Sequence, residues 1–112
     1  MAYDHEIAER VRDLVSGEDG VTEKRMFGGL AFLVHGNMAV AASAQGGLLV
    51  RVEPADTERL LGEGVQPMVM GGREMRGWLH VDAPAVRNRR QLERWVRRGV
   101  SFARALPAKA GH

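Results

Sequence analysis

The residues best placed to do chemistry are arginines. Arg90, Arg94, Arg97 and Arg98 follow one another at helical spacing near the end of the chain, with Arg87, Arg89 and Arg104 nearby. At 100° per residue, Arg90, Arg94, Arg97, Ser101 and Arg104 gather on one side of a helix. A planar guanidinium forks onto phosphate or carboxylate oxygens, so such a ridge suits an acidic protein surface or nucleic acid. The plainest account is the charged face that any amphipathic helix shows to water, partly neutralised by Glu93 and by acidic residues from the first half of the chain. No aromatic residue is interleaved with the arginines to stack single-stranded bases. An acidic protein is therefore expected ahead of nucleic acid.

The other reactive side chains form no recognised constellation. His5, His35, His80 and His112 are scattered, with no H-x-H or H-E-x-x-H pair, and there are no cysteines. No metal site is expected. His80 could serve as a base if Asp82 or Glu74 met it in a cleft, and a small enzyme would need His80 or His35 joined to a carboxylate in that way. Ser16, Ser43 and Ser101 lack any nucleophile-elbow context. The pairs Gly28-Gly29, Gly46-Gly47 and Gly71-Gly72 match neither the phosphate-loop nor the dinucleotide pattern, so they are read as turns and bulges, with no cofactor. No catalytic residue is assigned. Met26, Met38, Met68, Met70 and Met75 fit core filling first and an adaptable binding surface second.

These residues have to be positioned by a small set of elements. Asp4 caps a first helix whose apolar stripe is Ile7, Ala8, Val11, Leu14 and Val15. Leu30–Val34 and Met38–Ala42 read as strands around a turn centred on Gly36-Asn37, and Gln45-Gly46-Gly47 leads into a third strand over Leu48–Val52. Pro54 opens a short helix ended by Gly62 and Gly64. A hairpin turning at Gly71-Gly72-Arg73 follows, with Trp78 and His80 on one face and Leu79 and Val81 on the other. Asn88 and Gln91 form a capping box for a last helix, which buries a side running from Leu92 through Trp95 and Val96 to Ala103 and stops at Pro107. The expected architecture is α+β in two layers: a five-stranded, mostly antiparallel sheet and three helices in the order α-βββ-α-ββ-α.

The chain has 112 residues, 45% of them hydrophobic and 27% charged, which fits one ordinary globular domain over 1–112, with a core at about 4–106 and a tail over 107–112 expected to fray. Absence of cysteine fits a reducing cytoplasm, and neither a basic-then-apolar leader nor a membrane-length apolar run is present. A cytoplasmic protein without membrane attachment is expected. The net charge is only +2, yet it is unevenly spread: residues 1–72 sum to −5 and residues 73–112 to +7.

Met26-Phe27-Gly28-Gly29 before a strand, Gly36-Asn37-Met38 at a hairpin, Gly72 through Trp78 with Val81, and Trp95-Val96-Arg97-Arg98 form an ordered set. Together they resemble the N-terminal domain of the TfoX/Sxy competence regulators over roughly residues 5 to 104. The resemblance implies a five-stranded antiparallel sheet with three helices. It also implies a regulatory role without catalysis, since longer members promote expression of DNA-uptake genes and carry a second, C-terminal domain for which no counterpart is expected here. The partner would be a protein, with the transcription machinery as one candidate. Arg90, Arg94, Arg97 and Arg98, together with the Met26, Phe27, Gly28 and Gly29 loop, are the expected contact surfaces. Antiparallel edge strands would also allow a homodimer.

Overall fold

A computed structural model of the chain describes residues 4–26 and 28–108. The first helix, α1 (His5–Val15), starts at Asp4, whose carboxylate accepts from the backbone N–H groups of Glu6 and Ile7. That cap satisfies donors no helical carbonyl can reach. Six strands follow in two runs: β1 (Val21–Met26), β2 (Gly29–Val34), β3 (Asn37–Ala42) and β4 (Leu48–Arg51), then β5 (Val65–Met70) and β6 (Arg73–Val81). Between the runs, a 3₁₀ turn at Pro54–Asp56 leads into the short α2 (Thr57–Leu60), and α3 (Arg89–Ala105) closes the fold.

The sheet is open and antiparallel throughout, in the order β1-β2-β3-β4-β6-β5. It has six strands where the sequence led us to expect five. The additional one, β1, is an edge strand of sequence Val-Thr-Glu-Lys-Arg-Met, mostly exposed and lacking the apolar alternation that marks a half-buried strand. Charge along an edge guards it against pairing with another chain. A second correction concerns the β2–β3 hairpin, which turns one residue earlier than expected. His35 and Gly36 occupy its centre with φ of 50° and 84°, and Asn37 is the first residue of β3, opposite Val34. Asn37 is buried, and its side-chain amide donates to the Pro107 carbonyl at 2.9 Å, tying the chain beyond α3 to the sheet. Of the tail expected to fray, residues 109–112 lie outside the described residues.

One face of the sheet carries the main core. Phe32, Leu48 and Leu79 project from it and meet Leu92 of α3 and Val11 of α1, all essentially inaccessible to water. Burying a side chain of this size contributes about 1.5–3 kcal/mol, so this layer dominates stability. The expected capping box at Asn88 and Gln91 is formed in both directions, and Trp95 packs half-buried against the core. Among the described residues, no helix side chain belongs to the apolar cluster on the opposite face. There Ala31, Met38, Ala41 and Leu49 make a second, thinner apolar cluster. Among the described residues no helix is long and apolar enough to cross a membrane.

Candidate functional site

The arginines sit where the burial of α3 puts them. Leu92, Val96, Gly99, Val100 and Ala103 face the sheet, which turns Arg90, Arg94 and Arg97 to solvent and leaves Arg98 half-buried at the margin. Arg97 is engaged locally: its guanidinium donates to the Glu93 carboxylate one turn earlier, at 2.7 Å and 3.2 Å. The hydrogen bond and charge of Arg97 hold the Glu93 carboxyl below its ordinary pKa, and Glu93 in turn raises that of Arg97. Arg104 leaves the ridge altogether, bridging to Glu18 at 2.9 Å and to the Asp19 carbonyl at 3.0 Å.

Arg90, Arg94 and Arg98 differ from these two. Among the described residues, none of the three has a carboxylate within ion-pair distance. Arg94, Arg97 and Arg98 line a shallow groove of about 410 Å³ together with Phe102, Glu53 and Asp56. Asp56 is itself paired with Arg59 at 3.2 Å. The ridge therefore offers three uncommitted cations and a fourth, Arg97, whose exposed pair with Glu93 is weak enough to exchange for another carboxylate.

The second expected contact surface includes Met26, Gly28 and Gly29. Met26 belongs to the cluster on the second face of the sheet, on the other side from α3. Gly28 is exposed with φ of 77°. Gly29 is buried so tightly that a Cβ would stand 2.2 Å from the Ala42 carbonyl oxygen, which makes its small size a packing requirement. Phe27 lies outside the described residues. The two expected surfaces are thus on opposite sides of the molecule.

A third feature escaped the sequence reading as a unit. On the second face, Met26, Met38, Met68, Met70 and Met75 converge on one open cavity of about 250 Å³. Leu33, Leu49 and Trp78 complete its apolar walls, and among the described residues Arg51 is its one charged lining residue. Of the five methionines Met38 is buried, Met26, Met68 and Met70 are half-buried, and Met75 is exposed, with Met26 and Met68 packed against the second apolar cluster. The signal was faint because the methionines come from four strands. The sheet pairing that gathers them contains register shifts at Phe32/Leu33 and Pro67/Met68, which alternation alone does not foretell.

His80 does meet Asp82, with Nδ1 3.3 Å from the carboxylate. Its Nε2 lies 2.8 Å from the Gly46 carbonyl, a group that can only accept, so Nε2 carries the proton. Nδ1 then accepts from the Gln66 amide at 3.3 Å, and Gln66 also donates to Asp82 at 2.9 Å. Both ring nitrogens are committed to a structural network linking β5, β6 and the β4 approach. His35 sits in the hairpin turn against the backbone of Gly20, to which its N–H donates at 3.0 Å. The buried Ser43 uses its hydroxyl to accept from the Gln45 N–H at 3.1 Å. Among the described residues no three His, Cys, Asp or Glu side chains are grouped to hold a metal ion.

A model of the TfoX N-terminal domain family matches residues 13–103, from the second half of α1 to near the end of α3. No curated protein and no solved structure matches the chain.

Proposed function

The chain belongs to the TfoX N-terminal domain family, and on that footing we propose that it is a non-enzymatic regulatory domain that acts by protein–protein contact, with α3 as the contact surface. The observation that carries this reading is the exposure of Arg90, Arg94 and the margin of Arg98 with no carboxylate at ion-pair distance among the described residues. Carried on an already formed, capped helix, these side chains need no backbone ordering on meeting carboxylates, and forked guanidinium–carboxylate pairs, which offset the rotamer freedom each arginine loses, give both affinity and register. The partner is an acidic protein surface, and a regulatory partner in transcription fits the family. Location in the cytoplasm, where such regulators act, is part of the same proposal.

The test is capture of partners from the native cell by the wild-type protein and by the Arg90→Glu/Arg94→Glu/Arg98→Glu variant. The expected result is a protein retained by the wild type and lost with the variant, while the circular dichroism of the two is the same. Retention by both would overturn α3 as the surface. Loss of bound nucleic acid instead of protein, with affinity falling steeply as salt rises, would transfer the same surface to a nucleic-acid partner.

A further inference from the structure

We propose that the methionine-lined cavity on the second face of the sheet is a binding site for a small apolar carboxylate, with Arg51 as the group that recognises the acid. The proposal goes beyond the α3 contact: the apolar walls belong to the sheet strands, and Arg51 reaches from them to Phe102 of α3. Three observations carry it.

The first is the charge arrangement. Arg51 ends β4 opposite Trp78 of β6. Its guanidinium carbon lies 5.2 Å from the centroid of the Trp78 ring and 5.5 Å from that of Phe102. The aromatic faces hold the cation in place without neutralising it. Among the described residues no carboxylate pairs with it, and none lines the cavity. A fixed cation at the rim of an apolar cavity is complementary to an apolar molecule with a single negative group.

The second is the character of the walls. Thioethers are polarizable and turn easily, so Met68, Met70 and Met75 can close around an alkyl or aryl body of variable outline. The floor beneath them, Met38, Ala41 and Leu49, is buried and firm.

The third is size. An apolar cavity of about 150 Å³ suffices for benzene. At about 250 Å³ and open on one side, this one has room for a short alkyl chain or a single ring together with its acid arm.

The test is titration of the full chain with octanoate and with octanol, read by calorimetry and by the fluorescence of Trp78, for the wild type, Arg51→Gln and Met75→Glu. Met75 is 36% exposed, so its replacement adds an opposing charge at the rim without burying it. The wild type is expected to bind octanoate at least about tenfold more tightly than octanol, and Arg51→Gln to abolish that preference while binding octanol as before. Met75→Glu is expected to weaken octanoate more than octanol. Equal binding of acid and alcohol by the wild type, an unchanged preference in Arg51→Gln, or no octanoate binding at all would each overturn the proposal. So would a dimer that Met75→Glu dissolves, since this face would then belong to a second copy of the chain.

Discussion

Gly99 of α3 rests directly on the carbonyl of Ala39 in β3: a Cβ at Gly99 would come within 2.5 Å of that oxygen and 2.7 Å of Val40 Cγ1. Glycine in mid-helix costs about 1 kcal/mol relative to alanine. That cost is offset here because the absent side chain lets α3 lie close to the sheet. The contact falls beside the register shift between β2 and β3, where Ala39 stands between Met38, paired with Leu33, and Val40, paired with Phe32. The helix that presents the arginines thus has its height and rotation set by one glycine.

Replacing Gly99 with alanine should therefore destabilise the protein even though alanine is the better helix former. The obstacle is backbone, which cannot swing aside, and forcing a methyl into a filled core costs about 1–3 kcal/mol. After the gain in helix propensity, a net loss of up to about 2 kcal/mol is expected in urea denaturation. A rise in stability would mean that α3 stands off the sheet.

Thr57 holds the irregular part of β6. Its hydroxyl accepts from the Gly77 N–H at 3.0 Å and donates to the Pro54 carbonyl at 2.8 Å. Gly77 has φ of 89° and is buried, so its N–H has no water to turn to. Thr57→Val keeps the shape, removes both bonds, and should cost about 1–3 kcal/mol by the same denaturation measurement. Because Trp78 is the next residue, its emission should also shift.

The acid limb of stability should carry a small signature of Glu23. The hydrogen bond and charge of Arg12, 2.6 Å away, hold the Glu23 carboxyl below its ordinary value against a lesser opposing effect of burial. A carboxyl depressed in the folded state adds stability that is fully present above its unfolded-state pKa and disappears as pH falls through the folded value. Glu23→Gln should thus be less stable than the wild type at neutral pH, with the difference vanishing in acid. Both partners are well exposed, so after screening the effect should stay below about 1 kcal/mol and shrink with added salt. A difference that grows toward low pH would contradict the assignment.

Much of the fold could be read from local chemistry. Asp4, the capping box at Asn88 and Gln91, and Pro107 marked helix ends correctly, because each is a short-range device that works whatever surrounds it. The alternation of Trp78 and His80 against Leu79 and Val81 also held, since Leu79 and Val81 lie in the main core and the other two do not. The failures were long-range. Val21–Met26 gave no strand pattern because an edge strand with little burial needs none. The hairpin slipped by one residue because Asn37, a good turn former, is used instead to bond Pro107, seventy positions away. The arginine ridge was legible as a face, but which cations were already committed depended on Glu93 and Glu18, and only the folded geometry identifies those pairs. The methionine cavity depended on strand register across the whole sheet.

The central claim is that the uncommitted arginines of α3 engage carboxylates of a protein partner. Its most direct measurement is calorimetric titration of the captured, purified partner with the wild type, with the Arg90→Glu/Arg94→Glu/Arg98→Glu variant, and with a variant carrying lysine at the same three positions. We predict that the glutamate variant loses affinity by at least about a hundredfold and that the lysine variant, which keeps charge but not the fork, falls in between. Indistinguishable affinities for all three proteins would contradict the claim.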